Sequence, residues 1–282
     1  MSLILAALLA QVGPSVSPGA GGALPQAPLE IPRKAKPAEP LPAAPLSRLD
    51  RCLAMVRAAP LDALAEADAW LRQVKGAPAA DPAQCKALAL SALERWNEAE
   101  AAFTMGRDAL PPGEKRRRAE LGAGAAIAAE EAGAPDRALA YFDAARADSA
   151  ASGNGELAGR IARDRASPLF KLGRTAEAAA SLAEARAALP NDAATWLISA
   201  RLSRRLDQIS EAQAQIERAA ALDPRDPEIG VEAGLIAVLD GRDAAARKSW
   251  RSVLAMAPGS DAAKRAQAYL DQLGPETPPS GP

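Results

Sequence analysis

Apolar positions in this chain fall mainly in alanine-rich runs that read as helices. Alanine has the highest intrinsic helix propensity, because it loses no side-chain freedom on folding. Few segments alternate Val, Ile, Tyr or Thr with polar residues at period two, so the pattern predicts helices and no sheet. The runs also recur. Pro190, Pro224 and Pro258 stand 34 residues apart, twice over, each between one alanine-rich run and the next. The text around them repeats in register. Leu172-Gly173-Arg174-Thr175-Ala176-Glu177-Ala178, Leu206-Asp207-Gln208-Ile209-Ser210-Glu211-Ala212 and Asp240-Gly241-Arg242-Asp243-Ala244-Ala245-Ala246 each open the second helix of a pair.

On these residues the chain resembles the tetratricopeptide repeat (TPR) family, whose 34-residue unit is a helical hairpin with small and large residues at fixed places and a late proline. In the unit from Ala193 the matching residues are Trp196, Ala200, Ala212, Ile216, Ala219 and Pro224. The unit from Pro227 gives Gly234, Ala246, Trp250 and Pro258, and the unit from Gly159 gives Ala166, Ala178, Leu182, Ala185 and Pro190. Upstream, Ala126, Gly133, Ala138, Phe142 and Ala145 fit a unit from Ala119. Ala87, Ala99, Phe103, Gly106 and Pro111 fit one from Ala80, and residues 46–79 read as a degenerate first unit with Trp70 on its second helix. Asp261–Leu273 reads as a lone capping helix. The resemblance implies an all-α fold, a right-handed solenoid of about six helical hairpins over residues 46–273 with a C-terminal capping helix.

A single hairpin is too small to bury its own apolar face, and stacking neighbours completes the core. Small residues such as Ala200 and Gly234 let paired helices approach, while Phe103, Phe142, Ile216 and Trp250 fill the seams. Two features depart from the period. The unit starts at 119 and 159 differ by 40 residues, 6 more than 34, which predicts a longer loop around Gly153-Asn154-Gly155. Pro168 falls within a first helix and is expected to kink or shorten it.

The ends differ from the middle. Residues 1–45 hold 9 prolines and residues 274–282 hold 4, and such segments cannot bury enough apolar area to offset chain entropy. Residues 11–45 are therefore expected to form a disordered Pro/Gly-rich linker, and 274–282 a disordered tail. Leu3–Ala10 is too short to span a bilayer, which takes about 20 residues, and no transmembrane segment is expected. Residues 1–10 read as a signal-peptide core, which predicts a periplasmic or secreted protein of a bacterial envelope. The alternative is a cytoplasmic TPR adaptor.

Composition removes most chemistry. Lys and Arg number 34 and Asp and Glu 35, so net charge gives no drive toward nucleic acid or anionic lipid. There is no histidine, the side chain that most often serves acid–base catalysis and transition-metal ligation. Phosphate-binding, dinucleotide and serine-nucleophile motifs do not occur. No enzyme activity, small-molecule substrate, cofactor or metal is expected. Cys52 and Cys85 lie 33 residues apart on the first helices of neighbouring units. In an oxidising compartment they would form a disulfide adding about 3–4 kcal/mol by loop length; in the cytosol they would be two small buried thiols.

In the family the first helices line the concave face where peptides lie. There the resemblance places Arg160, Arg163 and Lys171 of one unit beside Arg201, Arg204 and Arg205 of the next. Guanidinium groups bind carboxylates in two-point fashion, so an acidic peptide or a C-terminal carboxylate is the expected ligand. The opposing reading is an ordinary solvated helix face. Lys115-Arg116-Arg117-Arg118 could contact phosphates in a nucleic-acid-binding accessory, but no aromatic residue interleaves with it, and a solvated helix start explains it as well. The sequence thus points to a non-catalytic protein–protein interaction scaffold, with no nucleic acid expected as partner.

Overall fold

The computed structural model describes residues 46–275, and the expected signal segment, the linker and residues 276–282 lie outside them. Among the described residues there are thirteen α-helices: α1 (Arg48–Ala58), α2 (Pro60–Leu71), α3 (Ala80–Ala92), α4 (Trp96–Ala109), α5 (Lys115–Glu131), α6 (Pro135–Ser152), α7 (Gly155–Lys171), α8 (Thr175–Ala188), α9 (Ala193–Arg205), α10 (Ile209–Leu222), α11 (Pro227–Leu239), α12 (Asp243–Met256) and α13 (Asp261–Leu273). No described residue is in a strand. Each helix packs on the next in chain order, and odd-numbered helices also touch: α1 with α3, α5 with α7, α9 with α11 and α11 with α13. This is the tandem-hairpin solenoid that the repeat predicts.

The turns explain why the hairpins are alike. From α3 to α12 each hairpin turns in three residues, and the middle one always has positive φ: Glu94, Gly133, Gly173, Asp207 and Gly241. The next residue's N–H reaches back to the fifth residue before it, as in Arg95 N to Leu90 O at 2.9 Å and Arg174 N to Leu169 O at 2.9 Å. This left-handed cap satisfies carbonyls that a helix end leaves open. Starts are capped too. Ser47, Asn154, Asp192, Asp226 and Ser260 each accept a backbone N–H from the first turn that follows.

The seams are filled as the pattern of small and large residues requires. Phe142, Leu182, Ile216 and Trp250 are buried, with Ala126, Ala178, Ala212 and Ala246 among their buried neighbours. At the C-terminal end Tyr269 of α13 lies 5.3 Å from the Trp250 ring, centroid to centroid. The buried Arg247 donates to the carbonyls of Leu273, Gly274 and Pro275 at 3.3, 2.6 and 3.2 Å, closing the last helix.

Two local expectations are corrected. The surplus residues near 153 do not form a longer loop. They lengthen helices: α5, α6 and α7 run 17, 18 and 17 residues, whereas α8 runs 14, and only Gly153 and Asn154 connect α6 to α7. The alanine-rich text there favours helix until Gly153 turns left-handed at φ 69°. Pro168 does not shorten its helix either. It stands one turn from the end of α7, where it removes one backbone bond, and Leu169 beyond it is fully buried.

Candidate functional site

The odd-numbered helices touch one another along the array and share one face of it, here termed the inner face. Its N-terminal half carries a groove of about 600 Å³ between α3, α5 and α7. Leu88, Trp96, Phe103, Ile127, Leu157 and Ile161 line it. Ile127 is 44% exposed on α5, and most of its neighbours pack into the seams below. Gly124, one turn before Ile127, is needed here: a Cβ on it would come 2.6 Å from Phe103 Cε1. The groove floor is therefore set by Phe103 from the helix beneath. A second, smaller pocket of about 250 Å³ lies between α7 and α9, with Phe170, Ile198 and Leu202 as walls and Arg201 and Arg205 at its edge.

The six basic residues marked in the sequence all lie on α7 and α9, and five of them are paired with carboxylates. Arg160 pairs with Glu156 on its own helix. Arg163 lies 2.8 Å from Asp164 and 3.3 Å from Asp192. Burial opposes the charge on Arg163, but hydrogen bonds and Coulomb attraction from Asp164 and Asp192 outweigh it, and its pKa is raised. Asp192 shifts the other way. Burial works against its charge, but hydrogen bonds from the Thr195 hydroxyl and N–H, with Arg163 beside it, hold its pKa below the usual range. Lys171 reaches Glu130 of α5 at 2.7 Å.

On α9, Arg201 lies 2.8 Å from Glu228 and 3.7 Å from Glu232, and Arg204 reaches Glu232 at 2.5 Å. Arg265 of α13 pairs with Glu228 as well. A ladder Arg204–Glu232–Arg201–Glu228–Arg265 thus crosses three successive units, with Glu232 buried at its centre. Arg205 differs. Its guanidinium stacks 5.2 Å over the Phe170 ring, and no carboxylate among the described residues pairs with it. Of the six, the structure brings Arg201 and Arg205 to the smaller pocket and Arg160 to the wall of the larger groove, and leaves Lys171 on a separate pair.

The Lys115–Arg118 run starts α5 and is spent within the molecule. Lys115 reaches the buried Asp148 at 2.9 Å, Arg116 pairs with Glu120, and Arg117 pairs with Asp81. Arg118 donates to the Arg107 and Leu110 carbonyls at 3.0 and 3.1 Å. Cys52 and Cys85 are joined, their Cα atoms 6.1 Å apart, within the range a disulfide spans. Among the described residues no helix is long and apolar enough to cross a membrane, and no group of His, Cys, Asp and Glu is placed to hold a metal ion.

Sequence reasoning missed the larger groove. Leu88, Trp96 and Ile127 are ordinary apolar residues in the text, and only the packing of three helices turns their open sides toward one another. Residues 169–233 match a family model described as Tetratricopeptide repeat. No curated protein matches the chain. Among solved structures it is similar to PilF of Pseudomonas aeruginosa (TM-score 0.61, 14% identity, covering 79% of this chain and 96% of that one). PilW, described as a widely conserved type IV pilus biogenesis factor, gives a TM-score of 0.64 at 17% identity, covering 78% and 96%. BtubC (BKLC) from P. vanneervenii gives 0.58 at 17% identity, covering 84% and 98%.

Proposed function

We infer that this chain, a member of the tetratricopeptide repeat family, is a non-catalytic scaffold that holds a segment of a partner protein along its inner face. One observation carries the reading: the groove between α3, α5 and α7 presents Ile127, 44% exposed, beside Leu88 and Trp96. Apolar surface left open in a concave site favours an apolar occupant, by about 25 cal/mol for each Å² removed from water. The smaller pocket adds a directional element, because Arg205 at its edge attracts an acidic group on the same partner segment.

The location we propose is the periplasm or outside the cell. The Leu3–Ala10 run supports export, and a joined Cys52–Cys85 pair suits an oxidising compartment. PilW, a relative in fold, is described as a pilus biogenesis factor, so a place in building a bacterial surface structure is the first to examine.

The test is capture in native cells through a photocrosslinking residue at position 88, compared with a second protein that also carries Ile127→Glu. A specific partner protein retained by the first and lost by the second, with circular dichroism unchanged, is the expected result. The same partner crosslinked equally by both would sink the reading.

A further inference from the structure

The N-terminal hairpin is held on differently from the others. Of the residues of α1, only Cys52 is buried. The fully buried centre of the contact between α1, α2 and α3 is Cys52, Ala63, Ala67, Cys85 and Ala89, all small side chains, and Leu49, Leu53, Met55 and Val56 of α1 pack around it only partly buried. Every later seam has at least one bulky buried residue, such as Phe103, Phe142, Leu182, Ile216 or Trp250. Trp70 is the one large buried residue of α2, and Arg48 lies 4.6 Å above its ring at the edge of the hairpin. The ion pair that crosses to α3, Lys86–Asp68, is partly exposed and contributes little. What α1 lacks in buried volume the covalent bond replaces.

From this we propose that the Cys52–Cys85 disulfide is the clasp of the N-terminal hairpin, and that its reduction lets α1 and α2 come away from α3. Both sulfurs belong to residues with no exposed surface, so a reductant reaches the bond only when the hairpin swings open. With a dithiol such as dithiothreitol, the protein disulfide breaks, each sulfur takes a proton, and the reagent closes to its cyclic disulfide. The clasp also bears on the inner face. Gln84, Leu88 and Ser91, which line the larger groove, lie on α3 on either side of Cys85. Resting on the scaffold reading above, this makes the groove edge sensitive to redox state.

Hydrogen exchange followed by mass spectrometry, on the full chain with and without dithiothreitol, tests this without any partner. Peptides from α1, α2 and the Gln84–Ser91 stretch should exchange faster after reduction, by about tenfold or more, while α9 to α13 keep their rates. A Cys52→Ser, Cys85→Ser double variant should show the same local acceleration without reductant, which covers the case of a bond too buried to reduce. Equal exchange in the oxidised protein and the double variant would overturn the proposal, and so would a uniform acceleration of all helices. The Ile127→Glu crosslinking result leaves this readout untouched, so either reading can fail alone.

Discussion

Gly234 of α11 lies against the Trp250 indole of α12, so close that a Cβ on the glycine would overlap ring atoms Nε1 and Cε2. The same Nε1 donates to the Val231 carbonyl at 3.1 Å, one turn earlier on α11, which fixes the indole against that helix. Gly234→Ala is therefore expected to cost about 1–3 kcal/mol by overpacking. Urea unfolding measures it. Adding Trp250→Leu should make the alanine far less harmful, and additive costs in the double variant would show that the two positions are not coupled.

The five matching turns lead to the opposite kind of change. Glycine fills the left-handed position at 133, 173 and 241, but Asp207 holds φ 59° there. A non-glycine residue in this region costs roughly 1–2 kcal/mol, partly offset because glycine loses more freedom on folding. Asp207→Gly should raise stability by about 0.5–1 kcal/mol, seen as a higher urea midpoint with an unchanged slope. A lower midpoint would mean that the aspartate side chain supports the turn.

Charges on the inner face divide by role. Glu232 is 3% exposed, and Arg204 is its nearer partner. Arg204→Gln leaves that carboxylate with Arg201 at 3.7 Å, and we expect a loss of about 2–4 kcal/mol. Arg205→Gln removes a stack on Phe170 but no ion pair, and should change stability by no more than about 0.5–1 kcal/mol. Partner capture should respond in the reverse order among folded proteins, falling with Arg205→Gln. Melting temperatures and the crosslinking yield separate the two effects.

Acid should loosen the junction between α7 and α9. The Asp192 pKa is lowered on folding, so its contribution is fully present above the unfolded value of about 3.9 and is lost as pH falls through the lower folded value. Asp192→Asn removes this dependence. The gap in melting temperature between wild type and variant should stay constant above about pH 5 and narrow below about pH 4. A gap that widens on acidification would contradict the sign.

Much of the fold was readable because its determinants are local or periodic. The prolines at 190, 224 and 258 mark the register, and the small residues that face Ile216 and Trp250 follow it. The long helices around 115–171 were not, because alanine text carries no signal for where a helix ends, and Pro168 is tolerated only for its place in the final turns. The candidate site was partly legible. Sequence placed the basic residues on α7 and α9, but not their partners. Arg201–Glu228 and Arg204–Glu232 join residues 27 and 28 apart, a spacing that becomes a contact only when successive first helices lie side by side. The open side of Ile127 depends on the same neighbour geometry, which no single helix encodes.

Arg247 also sets where the folded part can be cut. Its guanidinium is buried, and its described acceptors are three main-chain oxygens at positions 273–275. A shortened chain that stops at Leu273 keeps every helix yet loses two of these three acceptors, the closest at 2.6 Å among them. Residue 275, and not the last helical residue, is the outer limit of a self-sufficient fragment.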